Sequence, residues 1–288
     1  MAKGQTVSQA VLVTGSSTGI GAATALELDR RGYAVYAGVR RTTDGDELKR
    51  QASPQLKPVM LDVTDAEAIA AVARQIDEER GAAGLYGLVN NAGVAISGPI
   101  ELVPIEEFRR QMEVNVVGQV AVTQAMIPLL RRARGRVVNI GSANGAISPP
   151  FLGPYAASKH AMEAIGDSLR VELKPWGIEV SIVEAGPTAT PIWDKSAAAA
   201  DRLVGGVSEE KLNLYREGIE AFRTAIAKLV AQAVPVERVV SCVVHALAAR
   251  RPRPRYLVDS HSQTAFLLLR FVPARQRDWL VRRGLGLP

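Results

Sequence analysis

Apolar positions along this chain fall into two alternating rhythms: short unbroken runs, and longer stretches in which they recur every three or four residues. Residues 10–14 form the first run, bounded by Gly15, as expected of a strand buried on both faces of a parallel sheet. A helical stretch then passes through Ala25, Leu26 and Leu28 to Arg31, and Gly32 stops it. Runs at 34–39, 56–61, 85–89, 136–140 and 178–184 predict five more strands. Helices are predicted between them at 65–79, where Ala68, Ile69, Val72 and Ile76 share a face, at 104–132, opened by Pro104, and at 155–174. This repeated alternation specifies an α/β fold, a doubly wound parallel sheet of the Rossmann type with right-handed crossovers.

After Gly186 the pattern loosens. Residues 187–207 read as irregular, followed by helices at 208–231 and 235–249 and a short strand at 255–258. An irregular segment of that length inside a compact fold is more often a binding-site lid than a linker. The expected division is a disordered lead at 1–9, one main domain at 10–260 with its lid at about 187–231, and a C-terminal extension at 261–288.

Composition changes this picture little: 288 residues with 47% hydrophobic and 22% charged content are ordinary for one globular domain. The unbroken apolar runs are far shorter than the roughly 20 residues of a membrane span, and 1–9 lacks a signal-peptide layout, so a cytoplasmic location is expected. Cys242 is the single cysteine, which excludes an intrachain disulfide and a cysteine metal cluster; it reads as a small buried hydrophobe. His160, His245 and His261 show no ligand spacing, and no metal is expected. The net charge of +6 is concentrated from residue 250 onward, where nine arginines face Asp259 and Asp278. The remainder is close to neutral, which argues against a nucleic-acid-tracking surface.

Candidate chemistry begins where the first strand meets the first helix. In Thr14-Gly15-x-x-x-Gly19-x-Gly21 each glycine removes a Cβ where backbone turns tightly or approaches a pyrophosphate, and the helix N-terminus offers N–H groups to the anion. Ser17 and Ile20 in the same loop are counted among the dinucleotide-binding positions. The second strand ends at Val39 with Arg40 and Arg41 where an acidic residue would accept ribose hydroxyls, so two guanidiniums favour a 2′-phosphate and NADP(H), with NAD(H) still admissible. Asp62 and Val63 close the third strand, where a carboxylate can reach adenine edges. Farther on, Tyr155 and Lys159 stand one above the other on a helix face, and a nearby ammonium favours a phenolate. By itself that spacing is equally an ordinary packed pair.

In this order the motifs resemble the short-chain dehydrogenase/reductase family: Asn90-Asn91-Ala92-Gly93 after the fourth strand, Asn115 in the next helix, Ser142 after the fifth strand, then Tyr155-x-x-x-Lys159. The resemblance covers about residues 10–190. It implies Tyr155 as general acid/base, Ser142 holding the substrate oxygen, Lys159 lowering the Tyr155 pKa and binding nicotinamide ribose, and Asn115 in a water-mediated proton relay. It also implies cofactor contacts from Asn91, Ala92 and Gly93, and nicotinamide-carboxamide contacts from the segment of Gly186, Thr188 and Thr190. Two departures stand out: the family's usual Pro-Gly reads Gly186-Pro187 here, and Thr18 replaces the basic residue that many NADP-preferring members place before the second glycine. Stretches at 87–94, 134–139 and 254–256 resemble the retinol and hydroxysteroid dehydrogenase branch. Homo-oligomerisation, as dimer or tetramer, follows from the resemblance alone.

Ile192, Trp193, Leu203, Val204 and Val207 supply apolar surface on the lid, and Pro149, Pro150, Phe151 and Leu152 the opposite wall, which fits a lipophilic alcohol or ketone. The expected activity is hydride transfer between nicotinamide and such a substrate. The alternative is a cofactor-sensing regulatory or scaffold protein without turnover. The basic, apolar extension either packs over the cleft or a partner subunit, or makes peripheral contact with an anionic membrane.

Overall fold

A computed structural model describes residues 8–258, 268 and 271–287. Among the described residues seven parallel strands run in the order β3-β2-β1-β4-β5-β6-β7: β1 Ala10–Val13, β2 Ala34–Val39, β3 Leu56–Met60, β4 Gly87–Asn90, β5 Arg136–Ser142, β6 Glu179–Ala185 and β7 Arg255–Leu257. Helices α1 Gly19–Arg30, α2 Thr42–Gln51 and α3 Ala66–Arg80 alternate with the first strands. Helices α4 Ile105–Met112, α5 Gly118–Ala133 and α6 Gly153–Glu172 follow, then α7 Ile192–Val204, α8 Glu209–Ala231, α9 Val236–Ala248 and α10 Ala274–Leu285.

The apolar runs become strands because both of their faces are covered. Val11 and Val13 face Ala25 and Leu28 of α1 and Val239 and Val243 of α9. Their neighbours Ala10 and Leu12 face Ile69, Val72 and Ile76 of α3 and Val122 and Met126 of α5. Leu12 and Leu88 are fully buried, so truncating either to alanine costs about 2–5 kcal/mol. The order of strands reverses between β1 and β4, and at that point the C-terminal ends of both strands open a crevice that binds ligands in such sheets.

Four elements differ from the reading of the sequence. Helix α2 went unpredicted, because TTDGDELKRQ buries only Gly45 and Leu48 and shows no apolar stripe. The segment read as irregular at 187–207 contains α7, in which an alanine run of high helix propensity joins apolar residues at the two ends, Ile192 and Trp193 at one and Leu203 at the other. The helix predicted at 104–132 is interrupted by a π-helical turn at Glu113–Val117. The lead assigned to 1–9 ends earlier: Gln9 accepts from Ala34 N at 3.0 Å, and the Ser8 carbonyl accepts from Arg80; residues 1–7 lie outside the described residues.

Among the described residues one helical stretch, Ile105–Ala133, is long and apolar enough by composition to cross a membrane, and half of its most apolar window is buried inside the fold. Its inner face is the one that packs on α3 and β4.

Candidate active site

The β1–α1 loop and the end of β4 are built as one unit. The Thr14 hydroxyl accepts from Asn91 N and Ala92 N, each at 2.9 Å, while the Asn91 amide donates to the Thr14 and Gly15 carbonyls at 2.9 and 3.0 Å. Close approach dictates the glycines. A Cβ on Gly21 would sit 2.2 Å from the Gly15 carbonyl oxygen, and one on Gly15, at φ 65°, would sit 2.7 Å from Ala92 Cα. Helix α1 has no side chain capping its first N–H groups and no acid in its first turn, so its N-terminus remains available to an anion. Ser17 and Ile20 are half-buried beside it. These features fit the pyrophosphate of a dinucleotide.

Arg40 and Arg41 are exposed just beyond β2. Arg41 forms a two-pronged ion pair with Asp44, at 3.0 and 2.7 Å, and that hydrogen bonding holds the Asp44 carboxyl below its usual range. Asp62 lies past the end of β3, which stops at Met60, and folds back to accept from the Thr64 backbone N–H and hydroxyl. Val63 is buried, its carbonyl pressed against Gly118, where a Cβ would come within 2.5 Å.

Ser142, Tyr155 and Lys159 meet at the C-terminal end of β5. Ser142 is the last residue of that strand, and Tyr155 and Lys159 lie in the first turns of α6. Burial pushes the Tyr155 phenol up, and a hydrogen bond with Ser142 opposes the rise. The Lys159 ammonium donates to the Ile140 carbonyl at 2.8 Å and lies 5.7 Å from the centre of the Tyr155 ring. Burial lowers its pKa to about 8, against the Glu163 charge one turn farther along α6. The expected lowering of the phenol by Lys159 is absent from this geometry, because the ammonium is turned to a backbone carbonyl and desolvation dominates both groups. Glu163 is in turn bound by Arg255 of β7, which also pairs with Asp167, both at 2.9 Å, tying the last strand to the helix that carries the site.

Asn115 is placed by the π turn, a local widening that frequently marks functional positions. Its Oδ1 accepts from Val94 N at 2.8 Å, and its Nδ2 donates to Val94 O at 3.0 Å and to Ser158 Oγ at 3.1 Å. Gln111 one turn earlier clamps the same loop, accepting from Ile96 N at 2.7 Å and donating to Val94 O at 2.8 Å. The sequence reading missed both Ser158 and Gln111; the signal available was a polar residue at a buried helical position. Gly93 leaves Asn115 Oδ1 as its nearest neighbour, 3.4 Å from where a Cβ would stand.

Despite the transposed Gly186-Pro187, the segment after β6 is held firmly. Val234 N donates to Pro187 O at 2.9 Å, Ala189 N donates to Val234 O at 3.1 Å, and Trp193 Nε1 donates to Thr188 O at 2.8 Å. Thr188 is buried, its hydroxyl donating to Gly186 O at 3.0 Å. Thr190 lies over Gly19, which has φ 61° and whose Cβ would stand 3.2 Å from the threonine side chain.

Of the predicted apolar wall, Phe151 is distinctive. It takes φ 65°, a left-handed conformation that is costly for an aromatic residue, and packs at a tilt against Phe222 of α8 with ring centres 5.4 Å apart. Phe222 was not foreseen. The side chain of Val204 lies outside the described residues, as does most of the 261–288 extension before Phe271. Cys242 is half-buried, and burial raises its thiol pKa.

Residues 9–201 match the family model described as short chain dehydrogenase. Retinol dehydrogenase 5 of Mus musculus is 36% identical over 284 residues, 95% of this chain and 89% of that protein. The 17-beta-hydroxysteroid dehydrogenase type 6 of Bos taurus is 36% identical over 284 residues, 96% of this chain and 89% of that protein. Among solved structures, a variant of actinorhodin polyketide ketoreductase determined with NADPH superposes with a TM-score of 0.70 at 26% identity, covering 87% of this chain and 95% of that one. With its parallel sheet, glycine loop and Ser–Tyr–Lys cluster, the chain belongs to the short-chain dehydrogenase family, as an NAD(P)-dependent oxidoreductase of the retinol and hydroxysteroid dehydrogenase branch.

Proposed function

We propose that the protein interconverts a lipophilic ketone and its secondary alcohol with NADP(H), using Tyr155 as general acid/base. The observation that carries this reading is the convergence of the Ser142 hydroxyl and the Tyr155 phenol beside the buried Lys159 ammonium at one strand end. When bound, the nicotinamide supplies or accepts the hydride. In the direction of reduction, negative charge grows on the substrate oxygen; Ser142 donates a hydrogen bond to it and Tyr155 delivers the proton. A phenol raised by burial is fully protonated at neutral pH and therefore ready to donate.

Lys159 is assigned to the nicotinamide ribose and Asn115 to orienting the loop and helix that flank the proton path. Gly15, Ser17, Gly19, Ile20 and Gly21 cradle the pyrophosphate, with Asn91, Ala92 and Gly93 behind them. Arg40 and Arg41 take the 2′-phosphate, Asp62 and Val63 border the adenine, and Gly186, Thr188 and Thr190 hold the carboxamide side. The pairing of Phe151 with Phe222 supports an apolar substrate wall. Exposed Ile105 and Val117 on the α4–α5 stretch and Val171 on α6 support a homo-oligomer in which these helices meet a second copy. A cytoplasmic location is part of the same proposal.

A panel of ketones and alcohols is to be followed by NADPH and NADH absorbance. Turnover of an apolar ketone with NADPH in preference to NADH, reversed by Arg40→Asp, supports the reading; strong NADH preference in the wild type contradicts the role of the arginines.

A further inference from the structure

Thr18 stands where a basic residue would reach the dinucleotide's phosphates, and the space before the second motif glycine is nevertheless supplied with a cation. The Lys195 ammonium, carried on α7, donates to the Thr18 hydroxyl at 3.1 Å across 177 positions of sequence. We infer that Lys195 is a specificity-determining residue of the cofactor site: it brings the missing positive charge from the lid to the 2′-phosphate of NADP(H).

Three observations support this assignment. The lid rests on the glycine loop at two adjacent points, Thr190 and Pro191 over Gly19 and Lys195 over Thr18, so the ammonium is placed by a seated helix rather than by a free side chain. The charge also reaches the far side of the site. Asp44 is held low first by its hydrogen bond to Arg41, and the charges of Lys195 and Arg40 act on it in the same direction. Finally, the partners of Lys195 are replaceable. Lys195 and Thr18 are both exposed, and a neutral hydroxyl is a weak acceptor for an ammonium beside a phosphate dianion. Binding of a 2′-phosphate exchanges the Thr18 contact for a stronger, charge-assisted one without moving the helix. The chain thereby divides its positive charge at this site between the lid and the β2–α2 turn.

This inference rests on the NADP(H) reading above, and the experiment separates the two. Dissociation constants for NADPH, NADH and 2′,5′-ADP are measured calorimetrically for wild type, Lys195→Met, Lys195→Arg and the double variant Lys195→Met/Thr18→Arg. Lys195→Met is expected to weaken NADPH and 2′,5′-ADP by about tenfold, as for loss of one charge-assisted hydrogen bond, and to change NADH less than about twofold. Lys195→Arg retains affinity, and Thr18→Arg restores it by returning the cation to the loop. Unchanged NADPH and 2′,5′-ADP binding in Lys195→Met, in a wild type that prefers NADPH, overturns the inference alone. Equal weakening of NADPH and NADH places the ammonium on the pyrophosphate and overturns it also. A wild type that prefers NADH overturns the underlying reading, and this inference with it.

Discussion

Asn115 Nδ2 donates to Ser158 Oγ at 3.1 Å, joining the π turn before α5 to the helix that carries Tyr155 and Lys159. Ser158 passes the connection on, its hydroxyl donating to the Tyr155 carbonyl at 2.7 Å. The same asparagine pairs with both backbone groups of Val94, sharing the carbonyl with Gln111, so its side chain ties the β4 loop to α6. Asn115→Ala leaves the half-buried Val94 N–H unpaired while Gln111 still reaches the carbonyl, and the expected cost is about 1–3 kcal/mol of stability together with a fall in kcat. Chemical denaturation and steady-state kinetics on the purified variant check both. A fall in kcat with unchanged stability would show that the residue acts on the reaction without setting the loop.

The pH dependence of stability follows from Lys159. Its folded pKa, about 8, lies below the ordinary 10.5 because burial disfavours the ammonium. Between those values the unfolded chain binds more protons than the folded one, so this group contributes a penalty below pH about 8 that is relieved as pH rises toward about 10.5. Without cofactor, the melting temperature of the wild type relative to Lys159→Met should therefore climb across that window. A flat difference would mean that the ammonium is better solvated than its surroundings imply.

Gly21 tests the phosphate cradle. A methyl group there would meet the Gly15 carbonyl oxygen at 2.2 Å and Asn91 Nδ2 at 2.4 Å, so Gly21→Ala should cost about 1–3 kcal/mol and weaken dinucleotide binding at least about tenfold. Gly205→Ala is the matched control, since its nearest neighbours stand 3.6 Å away and its backbone is helical. Thermal melts with and without NADPH distinguish the two, and equal behaviour would contradict the close packing of loop and strand.

What the sequence revealed and what it concealed follow from the same physics. Strands β1, β4, β5 and β6 were legible because burial on both faces demands unbroken apolar runs. The cluster of Ser142, Tyr155 and Lys159 was legible because the three follow in a fixed order along the chain, Ser142 ending β5 and the other two opening α6. Helix α7 was not, because its apolar residues stand at its two ends around an alanine run that gives no continuous stripe to read. Ser158 was invisible for a related reason: a serine inside a helix gives no sign of whether its hydroxyl faces solvent or, as here, a buried asparagine. Arg255 was counted among the basic residues from 250 onward and placed in the last strand, but nothing in the sequence reveals that Glu163 and Asp167 of α6 pin it.

The most direct test of the central claim is turnover of an apolar ketone with NADPH by wild type and Tyr155→Phe, alongside the NADPH dissociation constant of each. Removing the one hydroxyl should lower kcat by about 10²–10⁴-fold while the dissociation constant stays within about twofold, because the phenol delivers the proton and phenylalanine fills the same space. Undiminished turnover in Tyr155→Phe would contradict the account.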